Sequence, residues 1–74
     1  MQKYKIELDD FDLGQALDGL ESRASAWEKT AIYHRTGETD GLVEECRDAE
    51  EAEKIAAHYR STIAKIRKQQ EAQS

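Results

Sequence analysis

Three side chains could take part in nucleophilic or metal chemistry, Cys46 and the two histidines His34 and His58. They fall twelve residues apart on each side, an interval that matches no established ligand spacing for zinc. A cysteine and histidine acting together also need donors for an oxyanion and a pocket for substrate. The residues around them offer no such set, so structural or surface roles are expected for all three. The acids Glu44, Glu45, Asp48, Glu50, Glu51 and Glu53 are the other candidates for chemistry. They lack the ligand order and the glycine turn of a calcium loop, and they fit the start of a helix better. A glycine-rich phosphate loop, Gly-x-Ser-x-Gly, a paired-histidine zinc motif and Cys-x-x-Cys are all missing. The expectation is a protein that is not an enzyme and has no cofactor or bound metal.

The same acids can present negative charge to a partner. Residues 44–53 hold six acids and one base, while residues 54–74 hold one acid and five bases. Acids at the beginning and bases at the end of a helix match its dipole, which accounts for the polarity without a ligand. A host protein with a basic surface is the expected partner, met by Glu44, Glu45, Glu50 and Glu53 together with Tyr33 and Arg35, since arginine and aromatic side chains are enriched at interfaces. Two other readings compete. A nucleotide-like ligand could sit between subunits near Tyr33, His34, Arg35, Lys3 and Lys5. Nucleic acid could bind Lys54, Arg60, Lys65, Arg67 and Lys68, but five bases without interleaved aromatics on a chain of pI 4.9 make a poor phosphate-binding surface.

The elements that must position these residues follow from hydrophobic spacing. Tyr4, Ile6 and Leu8 alternate with Lys3, Lys5, Glu7 and Asp9, the period of a half-buried strand, so residues 3–8 are expected to be extended. A first helix over 12–36 is expected from Asp12 as N-cap with Gln15 reaching back, a Phe11–Ala16 staple, and the stripe Leu13, Leu17, Leu20, Ala24, Trp27 and Ala31. Gly37 supplies its stop. Gly14 and Gly19 lower its helix propensity and leave a flat surface that either admits another backbone or is merely tolerated.

Residues 37–47 read as a loop or short strand, with Leu42 to Cys46 the strand-like part. A second helix over 48–68 begins at Asp48 with Glu51 in a capping box, and carries Ala52, Ile55, Ala56, Tyr59, Ile63 and Ile66. Residues 69–74 should fray.

Seventy-four residues make one domain, and a chain of this length buries only roughly 60% of the surface of its unfolded form. Two long helices form an antiparallel hairpin that leaves an apolar edge uncovered. The expected fold is therefore mainly α, a strand followed by a helical hairpin, dimerising into a four-helix arrangement. Leu17, Leu20, Trp27, Tyr59 and Ile63 are the expected dimer contacts. A lone cysteine closes no internal disulfide and favours a reducing compartment. With no membrane span and no signal-peptide pattern in Met1 to Asp12, cytoplasmic residence without membrane contact is the expectation.

The segment Lys5 to Asp12, the stretch Leu20-Glu21-Ser22-Arg23-Ala24-Ser25-Ala26-Trp27 and the stretch Asp48-Ala49-Glu50-Glu51-Ala52-Glu53 resemble small phage- or prophage-encoded accessory proteins in size and style. The resemblance implies a role in countering bacterial defence, by occluding a host protein or sequestering a signal.

Overall fold

The computed structural model describes residues 1–73, and Ser74 lies outside the described residues. The chain forms two helices, α1 (Asp10–Thr36) and α2 (Ala49–Gln73), packed against each other as a hairpin. Its long dimension of 43 Å is close to the length of α1 itself, about 40 Å for 27 residues at 1.5 Å each.

Helix α1 begins two residues before the expected 12, and its N-cap lies three residues before Asp12. Asp9, in an extended conformation, is the N-cap, and its carboxylate accepts from the Asp12 backbone N–H at 2.8 Å. Asp10 and Asp12 then lie inside the first turn, where their charge complements the unpaired amides of the helix start. Asp12 is thus a first-turn residue, and the staple expected of Phe11 gives way to an exposed ring. At the other end Gly37 takes φ 77°, and its N–H reaches the Tyr33 carbonyl at 2.7 Å, the stop expected of a glycine in the left-handed region.

Helix α2 opens as its sequence indicates, with the Asp48 carboxylate accepting from the Glu51 N–H at 2.8 Å. Glu51 reaches back one residue further than a capping box requires. It accepts from the Arg47 backbone N–H at 3.3 Å and from Arg47 Nε at 2.7 Å. The far end is helical through Gln73, five residues beyond the expected end at 68. Those five residues are exposed.

The seam between the helices is made of small side chains. Ala24, Ala31, Ala52 and Ala56 are buried together with Thr30 and Ile63, while Leu17, Leu20, Trp27, Ile55, Tyr59 and Ile66 are half-buried around them. Alternating steps of four and three residues link Ala52, Ala56, Tyr59, Ile63 and Ile66, and the same steps run through the α1 stripe. This is the spacing of two helices crossing at a shallow angle. Side chains as short as alanine bring the axes close but remove little surface from water.

A ladder of ion pairs fixes the register. Glu21 pairs with Arg67, Glu28 with Arg60 and Arg35 with Glu53. Each move of seven residues up α1 is answered by a move of seven residues down α2, as antiparallel heptads demand.

No strand is formed among the described residues. A strand is stable only when its backbone groups are paired, and no described segment pairs its backbone with residues 3–8 or 42–46. Residues 1–9 form an exposed arm ahead of α1, and residues 42–46 belong to the irregular connection between the helices.

Candidate interaction surface

That connection, residues 37–48, is a strap folded back on α1. Asp40 lies beside Lys29, with oxygen and nitrogen 3.5 Å apart. Further along, the Glu44 backbone N–H donates to Thr30 Oγ1 at 3.0 Å, and the Thr30 hydroxyl donates to the Ala26 carbonyl at 2.8 Å. The Glu44 carboxylate accepts from Arg23 at 2.6 Å. The strap then returns toward α2, bringing Cys46 to His34. Beneath it the Arg23 guanidinium stands 6.0 Å from the centre of the Trp27 ring. Hydrogen bonding to the Tyr59 hydroxyl and the Glu44 carboxylate holds Arg23 still more firmly in its charged form. The Trp27 ring N–H is buried without a hydrogen-bond partner, so the indole is held as an apolar body here.

The acids expected to meet a partner are largely engaged within the chain. Glu44 is tied to Arg23, Glu50 to Lys54 at 3.3 Å and Glu53 to Arg35. Glu45 is exposed. Glu51 is held below the usual carboxylate range by its hydrogen bonds with the Arg47 side chain and backbone, and Arg47 is raised in return. Tyr33 and Arg35 both lie in the last turns of α1, the Tyr33 and His34 rings standing at 76° to each other with centroids 5.6 Å apart. Of the five residues expected at a dimer interface, Ile63 is buried in the hairpin and Leu17, Leu20, Trp27 and Tyr59 are half-buried along it.

The structure joins two of the three residues capable of nucleophilic chemistry. Cys46 Sγ lies 3.3 Å from His34 Nε2, and the thiol also donates to the Asp48 carbonyl at 3.5 Å. His58 is exposed in the middle of α2, where its carbonyl accepts from Thr62. Among the described residues, no group of three or more His, Cys, Asp or Glu side chains is placed to hold a metal ion.

Two shallow hollows of about 430 and 420 Å³ flank the hairpin. The first is lined by Lys29, Ile32, Glu38, Thr39 and Asp40, the second by Ala31, Ile32, Ala56 and Ala57 between the Glu28–Arg60 and Arg35–Glu53 pairs. Neither includes His34 or Cys46. A phosphate entering the second would have to displace a carboxylate already seated on each arginine. Three of the five basic residues of α2 are similarly occupied, Arg60 and Arg67 by glutamates of α1 and Lys54 by Glu50. No described helix is long and apolar enough to cross a membrane.

Ile32, Tyr33 and Leu42 stand open to water at the elbow, and Tyr4, Ile6, Leu8 and Phe11 do so along and beside the arm. The seven-residue intervals of Glu21, Glu28 and Arg35, matched by Glu53, Arg60 and Arg67, were the available signal for the ladder. Thr30 carried no comparable signal, because its role depends on a strap whose path is tertiary. Comparison of the chain with known protein families, with curated proteins and with solved structures finds no match.

Proposed function

We propose that this protein is a non-enzymatic interaction module that covers a basic surface of a partner protein with the elbow end of its hairpin. The observation carrying this reading is the exposure of Ile32 (54%), Tyr33 (39%) and Leu42 (87%) around the end of α1 and the strap. Residues 37–53, which form the strap and the opening of α2, hold eight acids and one base. Apolar anchors within an acidic field suit recognition of a basic surface, with charge steering the encounter and the anchors slowing release. In a phage setting, the same contact would occlude a host defence protein.

Support for a non-enzymatic role comes from the surroundings of Cys46 and His34. The Cys46 thiol is met by the Asp48 backbone carbonyl and lies next in sequence to Glu45, oxygens that would repel rather than stabilise a developing oxyanion.

The test is affinity capture from the native host with the unmodified chain, Leu42→Asp and Glu45→Lys in parallel. One protein with a basic surface is expected to be retained by the unmodified chain and lost with Leu42→Asp. Glu45→Lys and added salt should both weaken it, while far-UV circular dichroism stays unchanged. Equal retention by all three chains would remove the elbow from the mechanism.

A further inference from the structure

The arm ahead of α1 has a partner written into its own charge order. Lys3, Lys5, Glu7 and Asp9 alternate with Gln2, Tyr4, Ile6 and Leu8. The Tyr4 hydroxyl donates to Gln2 Oε1 at 2.8 Å, which sets side chains two residues apart on one side, as in an extended chain. Tyr4, Ile6 and Leu8 are 79%, 73% and 50% exposed, so the hairpin leaves most of that apolar side in water. No backbone bond pairs residues 3–8 with another described segment.

The two bases come first, the two acids last, and Ile6 is the midpoint. We propose that two copies of this chain associate through their arms, paired antiparallel about Ile6. In that register Lys3 of one copy faces Asp9 of the other and Lys5 faces Glu7. On the opposite side Tyr4 faces Leu8 and Ile6 faces Ile6.

The alternatives are each penalised. Parallel pairing in register sets lysine against lysine and acid against acid, which destabilises neighbouring strands. An antiparallel centre at Lys5 or Glu7 places that residue opposite its own copy. Centres between residues put apolar side chains opposite charged ones and turn half the apolar set to the wrong side. One arrangement therefore satisfies charge, apolar side and backbone together. It closes an exposed backbone edge by using a second copy of that edge. A ribbon of two short strands is marginal by itself, so the dimer belongs to the weak class. The pairing is independent of the elbow contact, because the arm and the elbow lie at opposite ends of α1.

Light-scattering mass over a concentration series, under reductant so that Cys46 cannot link copies, tests the proposal. The unmodified chain is expected to rise from its 8.4 kDa monomer toward twice that mass. Lys5→Glu alone and Glu7→Lys alone should each weaken association on the order of tenfold, because each sets like charges opposite at two symmetric places. Mixing the two variants restores opposite charges at both places and should bring association back to that of the unmodified chain. Ile6→Ser should remove it. Lys5, Ile6 and Glu7 all precede α1 and lie apart from the seam between the helices, so circular dichroism should report the same helicity throughout. A chain that stays monomeric at its highest concentration overturns the proposal. So does a dimer indifferent to these substitutions, or a mixture that fails to restore association. None of these results depends on capture through Leu42, so each proposal stands or falls alone.

Discussion

Thr30 lies fully buried with its hydroxyl used twice, donating to the Ala26 carbonyl and accepting the Glu44 N–H. Valine has nearly the same shape and lacks the oxygen. Thr30→Val should therefore strand the Glu44 amide and cost about 1–3 kcal/mol in urea unfolding. Thr30→Ser keeps both bonds and should cost about 1 kcal/mol, the value of a lost methyl group. Equal stability of the valine variant and the unmodified chain would show that the strap is held by other contacts. Glu28 gives a pH-dependent counterpart, since Arg60 meets its carboxylate with two nitrogens at 2.8 and 3.1 Å and holds its pKa below the usual range. A carboxylate whose pKa is lower folded than unfolded binds fewer protons when folded. Its contribution is full above the unfolded value of about 4.3 and disappears as pH falls through the depressed folded value. Glu51, lowered by Arg47, follows the same sign. Solvent screens both groups, so the effect is small. Glu28→Gln should lower Tm near neutrality, and the gap to the unmodified chain should close in acid below both values. A gap that persists unchanged into acid would assign the loss to packing.

Helix α1 carries two glycines inside a helical stripe, and each has open space where a Cβ would stand. Gly14→Ala and Gly19→Ala should therefore each stabilise the hairpin by about 1 kcal/mol through helix propensity, read as a raised Tm. The flat surface they create serves no close approach within the chain. Much of this element level was legible in the sequence. The 3–4 spacing marked both helices, Asp48 marked the start of α2 and Gly37 the end of α1, because each depends on neighbours within one turn. The start of α1 was read at Asp12, but Asp9, Asp10 and Asp12 put three acids in four residues and any of them can face a free amide. The structure selects Asp9, which retains the other two near the positive helix end. The alternation of residues 3–8 was read as a strand because the pattern records a preference for extended chain. A ladder needs a second segment, and pattern alone does not provide one. Likewise, the bases of α2 were assigned to a helix dipole, whereas Arg60 and Arg67 sit across the seam from glutamates of α1. Their seven-residue spacing was visible, but its match to α1 emerges only when the two helices are set antiparallel.

At the scale of the molecule, a seam of alanines makes the hairpin thin, 17 Å in its shortest dimension, and leaves apolar side chains at both ends. Large residues that would thicken a core are instead displayed, Ile32, Tyr33 and Leu42 at the elbow and Tyr4, Ile6 and Leu8 on the arm. Such a chain separates holding its shape from making contacts. The ladder and strap do the first, while the exposed ends are available for the second. Asp9 is the boundary between these functions, because it caps α1 while ending the charge sequence of the arm. Removing residues 1–8 while keeping Asp9 should therefore leave helicity and the Tm of the dilute chain unchanged. In the intact chain, association adds a stability that grows with concentration by mass action. Its Tm should climb across a dilution series, and the shortened chain should show a flat line over the same range. A drop in Tm of the dilute shortened chain would mean that the arm packs on its own hairpin in solution. A concentration dependence that survives the truncation would place self-association on the helices, where Leu17, Leu20 and Tyr59 retain half-exposed edges.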